Sequence, residues 1–315
     1  MKKIFKVEIS FWIQIGILSL LTSCIDNTSS KSLENVKFNE NSEIKKEAQH
    51  LSEAFKNYWY SGEAEITSYK LEQARYGEIR QGKAVLIFVT EDFLPNIQVK
   101  ADQQHPENIS VLKLNATKNF NTGIYPYSVM QSTFYSVANN QHALKVSSSM
   151  QEWCGHVYTQ LNNRDDFEIN SYSYFQSEAD KSYNLNKAIL ENELWTQLRL
   201  DPKQLPTGDG DLQIIPSFEY IRFKHADLKA YKASTVLTNN TYTISYPELD
   251  RTLTINFNPD FPYEISGWVE TFISGFGSNA KHLTTKATKL VSIKSPYWSK
   301  NKNKDEVLRK TLQLN

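Results

Sequence analysis

Apolar and polar side chains alternate along much of this sequence, which limits the folds open to it. The alternation is clearest in TYTISYPELDRTLTINF, residues 241–257, where a polar turn interrupts it. Its apolar positions are Tyr242, Ile244 and Tyr246 before the turn and Leu253, Ile255 and Phe257 after it. Successive side chains of a strand point to opposite faces, so each half has one apolar face. Pro247 and Asp250 suit the connection, and the segment predicts a β-hairpin.

The same two-residue period recurs along most of the chain after Glu65. The candidate strands are residues 66–76, 83–90, 109–116, 124–137, 144–161, 167–175, 212–223, 241–246, 252–257, 263–272 and 284–293. A second hairpin is predicted around residues 162–166. Short turns connect most of these segments, which favours antiparallel pairing. The predicted fold class is β-rich α+β: a large antiparallel, curved sheet or incomplete barrel with a few flanking helices.

Two helices are predicted beside the strands. The first starts at Asn41 or Ser42 and has an apolar stripe that we expect to dock on the domain, although a partner is an alternative. The members of this stripe are Ile44, Ala48, Leu51, Phe55 and Tyr58. The second helix covers residues 186–198. The charged tail from about residue 299 is expected to fray, apart from a short helix over residues 304–312.

Composition allows a full-sized core and argues against some partners. The chain has 315 residues, of which 40% are hydrophobic and 12% aromatic, too many for a disordered protein. Lys and Arg number 35, as do Asp and Glu, so no global field attracts nucleic acid. We therefore predict no nucleic-acid partner.

The N-terminus has the pattern of a secretory signal. Three lysines in MKKIFK precede an apolar run over residues 11–21, which is too short to span a bilayer. The run leads into LTSC, residues 21–24, which resembles the lipobox of bacterial lipoproteins. That resemblance implies cleavage before Cys24 and acylation of its thiol with chains such as palmitate. The alternative is an ordinary cysteine in an uncleaved anchor helix.

A domain organisation and a location follow from this pattern. We predict a lipoprotein signal peptide over residues 1–23, a flexible tether over 24–40 and a β-rich domain over 41–315. Acyl chains would hold the protein on a membrane without a spanning helix. We therefore expect a lipid-anchored protein of the cell envelope, on the outer membrane, with membrane lipid as a partner through Cys24. The sequence leaves the periplasmic or surface face open.

The segment QEWCGHVY, residues 151–158, places a thiol two residues from an imidazole. As part of one strand it would have Trp153, Val157 and Leu161 on its apolar face. The opposite face, a candidate ligand-facing surface, would carry Glu152, Cys154, His156 and Tyr158. A thiolate assisted by His156 and a soft-metal site are two interpretations, but both lack the further groups that they need. We favour a structural role with a hidden thiol, and predict no metal site and no cofactor.

Aromatic residues cluster in short runs, such as YWY at 58–60 and YSYF at 172–175. Such runs could line a groove for an acyl chain or stack on sugar rings, or simply reflect the preferences of a large sheet. The predicted function is a binding, carrier or scaffold module for an apolar or glycan ligand or an envelope partner. The alternative is a thiol-dependent hydrolase or acyl transferase using Cys154 and His156. An enzymatic role is not favoured.

Three longer stretches carry a family resemblance: YWYSGEAEITSYKLEQARYGEIRQGKA, LKLNATKNFNTGIYPYSVMQSTFY and SSSMQEWCGHVYTQLNNR. From about residue 55 to 293 the chain resembles uncharacterised lipoproteins of the Bacteroidota type, often labelled septum formation inhibitor Maf. The Maf nucleotide pyrophosphatases are cytosolic α/β enzymes with an S-x-S-P-R-R start, which this chain lacks. The resemblance therefore implies a lipoprotein and supplies no catalytic residues.

Overall fold

A computed structural model describes residues 51–138 and 141–315. The strands are β1 Ala64–Arg75, β2 Glu78–Leu94, β3 Val99–Lys100, β4 Ile109–Thr122, β5 Tyr125–Ser136, β6 Lys145–Glu152, β7 Gly155–Asn163, β8 Phe167–Ser173, β9 Lys181–Leu185, β10 Ile189–Leu190, β11 Gly208–Ile215, β12 Tyr231–Leu237, β13 Thr241–Tyr246, β14 Arg251–Phe257, β15 Ile265–Ser274 and β16 Lys281–Ser295. The α-helices of the same residues are α1 Glu53–Trp59, α2 Glu191–Leu200, α3 Phe218–Lys224 and α4 Val307–Thr311.

These strands form one sheet, in the order β10-β11-β12-β13-β14-β15-β16-β1-β2-β4-β5-β6-β7-β8-β9, with β3 beside β2. The pairs are antiparallel, except that β10 and β11 run parallel. The sheet does not close, and β9 and β10 are its two edges.

The sheet curls around α2 and α3, which pack on what we call its inner face. The Nζ atom of Lys118 on β4 lies 5.8 Å from the ring centre of Trp268 on β15, although three strands separate β4 from β15. In a flat sheet those strands would be about 19 Å apart. One core cluster also joins Ile169 of β8 to Ile214 of β11, near the two edges. The predicted β-rich class, with a curved antiparallel sheet and few flanking helices, is confirmed.

Both predicted hairpins are present. β13 and β14 pair along their whole length, and their six apolar side chains are buried. Their turn is the 3-10 helix Pro247–Leu249, followed by Asp250 with a φ of 47°. β7 ends at Asn163 and β8 begins at Phe167, as the second hairpin required.

Two predicted strands each divide into separate elements. The strand over residues 144–161 is wrong, because β6 ends at Glu152 and a two-residue turn leads into β7. The strand over residues 212–223 ends with β11, and the chain continues as α3. Pro216 cannot donate a ladder hydrogen bond, and the Ser217 hydroxyl accepts one from the backbone N–H of Tyr220, which starts the helix.

The terminal helices differ from their predictions in extent. α1 begins at Glu53, not before Leu51, because the Ser52 side chain accepts a hydrogen bond from the backbone N–H of Phe55. The earlier part of that prediction lies outside the described residues. Phe55 and Trp59 are buried, so α1 docks on the domain as expected.

The C-terminal tail, expected to fray apart from a short helix, is mostly exposed but folds into two short helical segments. α4 is preceded by a 3-10 helix, Asn303–Glu306, and the side chain of Leu312 is buried with Ala64, Ile66 and Val89. These residues lie on the outer face of β1 and β2.

α2 begins at Glu191, five residues later than predicted, because the short strand β10 precedes it. No helix of the described residues has the length and apolar character needed to cross a bilayer.

Candidate functional site

Two buried ion pairs fix α2 against the inner face. Glu191, in the first turn of α2, accepts hydrogen bonds of 2.5 and 2.7 Å from the guanidinium of Arg251 on β14. Arg199, in the last turn, donates bonds of 2.5 and 2.6 Å to the two carboxylate oxygens of Glu65 on β1. All four side chains are buried. The acid near the helix N-terminus and the base near its C-terminus also suit the helix dipole.

A small cavity of about 50 Å³ lies between α2, α3 and the sheet. The ammonium of Lys118 donates to Glu219 at 2.7 Å, and the Gln131 amide donates to the same carboxyl group at 3.2 Å. Burial raises the pKa of Glu219, although the charge of Lys118 opposes this. Trp195 and Trp268 form part of the wall. The lining is part polar and part apolar, and a cavity of this size has room for a few water molecules but not for an acyl chain.

A larger groove opens between α3 and the inner face of β7–β9, and it has a volume of about 740 Å³. It exists because β9 is an edge strand and the seven-residue α3 is too short to cover this part of the sheet. Its lining alternates apolar side chains such as Val157, Tyr183 and Ile221 with polar ones such as Thr159, Ser171 and Lys181. Its volume lies within the range of about 300–1,000 Å³ that is usual for small-molecule sites.

The loop between β8 and β9 is tied to α3 along this groove. Glu178 lies in the loop, and its Oε1 atom is 2.9 Å from Nη1 of Arg222 and 2.8 Å from Nδ1 of His225. The hydroxyl of Ser173 donates to the second oxygen of Glu178 at 2.6 Å. The guanidinium of Arg222 also stacks over the ring of Phe175, 4.7 Å from its centre. The position of this groove wall therefore depends on Glu178.

The structure does not place the four residues of the candidate ligand-facing surface, Glu152, Cys154, His156 and Tyr158, on one face of a single strand. Cys154 lies in the turn between β6 and β7, outside both strands. Glu152 pairs with Gly155, which puts its side chain on the inner-face side, whereas His156 and Tyr158 are exposed on the outer face. The turn reversed the alternation that the sequence suggested. Ligand contact by these residues stays a prediction, and the outer face of β7 is not the side on which the groove lies.

The thiol of Cys154 is exposed, which corrects the expectation that it is hidden. Trp153, expected on the apolar face, is 67% exposed. A hydrogen bond to Glu152 and the negative charge of that carboxylate raise the pKa of the Cys154 thiol. A raised pKa reduces the thiolate fraction at neutral pH, the opposite of what an activated nucleophile needs. Among the described residues no group of three or more His, Cys, Asp and Glu side chains is arranged to hold a metal ion.

Sequence reasoning missed the charged residues of the inner face and the polar wall of the groove. For α2 a signal was present, because Glu191 and Arg199 flank the apolar stripe formed by Leu194 and Leu198 in ENELWTQLRL. For the groove no signal was present, because its residues come from three strands, two loops and a helix that only the fold brings together. Cys24 lies outside the described residues, so its lipidation stays a prediction.

No protein-family model matches the sequence, and a search of curated proteins finds no significant match. A comparison with solved structures finds weak similarity to two of them, among others. One is a beta-barrel-like protein of domain of unknown function DUF1849 from Brucella abortus, with 8% identity, a TM-score of 0.41 and coverage of 73% of this chain and 96% of that one. The other is a porin-like protein from Bacteroides uniformis, with 7% identity, a TM-score of 0.20 and coverage of 72% and 95%. Scores at this level carry no argument about function.

Proposed function

We propose that this protein is a lipid-anchored binding module of the cell envelope, and that its ligand is a glycan bound in the groove between α3 and β7–β9. The groove is the observation that carries the proposal. It is large enough for two or three sugar rings, whereas the inner cavity is too small for an acyl chain. α2 is held at both ends by buried ion pairs, which weighs against a carrier that empties and refills its interior.

The lining of the groove supports a glycan over a purely apolar ligand. A sugar ring presents an apolar face of C–H groups and a periphery of hydroxyls. Tyr183 and Ile221 offer surfaces for the apolar face. Thr159, Ser171 and Lys181 offer donors and acceptors for the hydroxyls. The hydroxyls of Thr159 and Ser171 already hydrogen-bond each other at 2.9 Å. A fatty acyl chain would satisfy neither their remaining hydrogen-bonding capacity nor the ammonium of Lys181, at a cost in affinity.

The anchor and the location rest on the sequence. The apolar run that leads into LTSC supports acylation of Cys24, and the acyl chains would bind membrane lipid. We place the protein on the outer membrane. Metabolic labelling with a palmitate analogue tests this part: incorporation is expected in the wild type and lost in Cys24→Ser, and an unlabelled wild type would refute it.

The groove is tested by titration of the detergent-purified protein with soluble peptidoglycan fragments and with a fluorescent fatty acid. Saturable binding of the glycan is expected, and Tyr183→Ala is expected to weaken it about two- to tenfold, since one ring stack is worth about 0.5–1.5 kcal/mol. Tyr158→Ala is the matched control, because this tyrosine lies on the outer face of β7. Equal loss in both variants, or saturable binding of the fatty acid alone, would refute the glycan groove. No observation favours the thiol-dependent hydrolase or acyl transferase.

A further inference from the structure

Five turns at one end of the sheet each carry a large apolar side chain that is exposed to solvent. They connect β1–β2, β4–β5, β6–β7, β8–β9 and β15–β16. The residues, with their exposed fractions, are Tyr76 38%, Ile124 84%, Trp153 67%, Tyr174 75% and Phe276 55%. We call them the apolar turn tips. Each stands at or beside a strand end; Tyr76 is the least exposed, because its hydroxyl lies 2.8 Å from that of Tyr127 on β5.

Antiparallel pairing places these turns together. Gly77, in the β1–β2 turn, lies so close to the β15–β16 turn that an added Cβ would be 2.7 Å from the carbonyl oxygen of Asn279. The rings of Tyr125 and Trp153, beside the β4–β5 and β6–β7 turns, have centres 6.5 Å apart. The tips therefore face one direction, along the strands and away from α1.

The composition and spacing of the tips suit a lipid headgroup layer. Tryptophan and tyrosine favour the membrane interface, where their rings contact both apolar and polar groups, and the wholly apolar Ile124 and Phe276 gain from burial at the acyl boundary. The tips stand on five separate turns, and the rings of Tyr76 and Phe276 have centres 6.4 Å apart across two of them. A fluid lipid surface receives such projecting side chains without the matched, closely packed partner surface that a stable protein interface needs. The opposite end of the sheet carries fewer exposed apolar side chains on its loops, Tyr60 42%, Ile97 62% and Trp298 52%, and its β7–β8 turn is charged, with Arg164, Asp165 and Asp166.

The segment between Cys24 and the first described residue is long enough for the acyl anchor and the apolar turn tips to contact the same bilayer. Between Cys24 and Leu51 there are 26 residues, which span at most about 90 Å when fully extended. The described chain enters at the end opposite the tips, where α1 precedes β1. The 12 residues of β1 cover about 40 Å, so the tips are within reach of the membrane that holds residue 24.

We propose that the apolar turn tips dock on the bilayer that carries the protein's own lipid anchor. This inference rests on the anchor of the proposed function and is independent of the glycan. The anchor raises the local concentration of the tips at the lipid surface. Several contacts that are weak individually are then enough to keep the domain docked there.

Cys154 provides a probe at the tip surface, because its exposed thiol is next to Trp153. The lipidated protein is reconstituted into vesicles of phosphatidylethanolamine and phosphatidylglycerol and labelled there with the polarity-sensitive dye NBD. The thiol of a lipidated Cys24 is blocked. We expect a blue shift of NBD emission, and quenching by lipids spin-labelled near the headgroup. Ile124→Ser combined with Phe276→Ser should abolish both effects, and Ile97→Ser, an exposed residue at the opposite end, should preserve them.

The outcomes separate this inference from the proposed function. A Cys154→Ser variant labelled at Ile97→Cys should report water under the same conditions, and an equal blue shift at residue 97 would overturn the docking direction. Protein that floats with the vesicles while its Cys154 probe stays in water would refute the docking alone. Protein that remains in the aqueous fraction would refute the anchor, and with it this inference. Circular dichroism of each variant confirms that the fold is retained.

Discussion

Replacing Arg199 by methionine tests whether α2 is a fixed part of the inner face. The guanidinium of Arg199 and the carboxylate of Glu65 are each 1% exposed. Methionine fills much of the same volume but leaves Glu65 with the hydroxyl of Tyr58, at 2.5 Å, as its main remaining partner. Breaking a buried pair in this way costs about 3–5 kcal/mol, a large share of the roughly 5–15 kcal/mol that stabilises a folded domain.

The loss is measured by urea unfolding, followed through tryptophan fluorescence at constant detergent. With a slope of about 3 kcal/mol per molar urea, the midpoint should fall by about 1–1.7 M. In the double variant Glu65→Leu with Arg199→Met, most of this loss should be recovered, because no unpaired charge is then buried. Lys56→Met is a control, since its pair with Glu53 is exposed and worth under about 1 kcal/mol.

The pH dependence identifies the cause of the loss. Burial alone raises the pKa of Glu65, but the charge and hydrogen bonds of Arg199 outweigh it and hold that pKa below its ordinary value. Without Arg199 the burial effect remains, so the pKa should rise above that of the unfolded chain. The penalty is then present at pH 7 and shrinks as the pH falls towards about 4.3, where the unfolded carboxyl is also protonated. A constant penalty, or a double variant as unstable as the single one, would refute the reasoning.

Three further predictions concern other sites. The pKa of Glu191 is lowered, because its pairing with Arg251 outweighs burial; its contribution should be complete above about pH 4.3 and disappear in more acid solution, which acid unfolding of the wild type and of Glu191→Gln would compare. The thiol of Cys154 should alkylate more slowly than free cysteine at neutral pH and several-fold faster in Glu152→Gln, and a faster wild type would revive the nucleophile hypothesis. Gly82→Ala should destabilise the domain by about 1–3 kcal/mol in urea unfolding, because its Cβ would lie 2.4 Å from the carbonyl oxygen of Asn119; an unchanged midpoint would contradict this close approach.

The sequence predicted the sheet well because a strand with one buried face has apolar residues at every second position, a pattern that is visible within a few residues. The hairpin of β13 and β14 was correct to within a residue, since its two apolar faces repeat every second position. The same rule failed at residues 144–161, where the buried positions change from even numbers in β6, such as Val146 and Met150, to odd numbers in β7, such as Val157 and Leu161. The two-residue turn at Trp153 and Cys154 causes this change, and a single strand drawn through the segment misses it. The alternation of apolar and polar residues therefore predicted which face of a strand is buried more reliably than where the strand begins or ends.

The site was harder to predict because its residues are distant in sequence. Arg199 and Glu65 are 134 positions apart, and their pairing depends on how far the sheet curls. Glu178 and Arg222 meet only because the β8–β9 loop folds towards α3. Cys154 and His156, in contrast, are only two positions apart, and this closeness in sequence suggested a joint chemical role. The turn separates them from a shared strand face, so sequence proximity was a poor guide to chemistry here.

The groove and the apolar turn tips share the β8–β9 loop, and this links the two proposals. Tyr174 is a tip, while Glu178 of the same loop lines the groove. If the tips dock, the groove opens at the level of the lipid headgroups, and a glycan displayed on the membrane reaches it without leaving the surface. The same glycan should then bind more tightly when attached to a lipid in the vesicle than when free in solution, because the shared surface raises its effective concentration. Ile124→Ser with Phe276→Ser should remove this advantage and leave the affinity for the free glycan unchanged. Equal affinities of the wild type for the lipid-attached and the free glycan would show that the groove does not bind its ligand at the membrane surface.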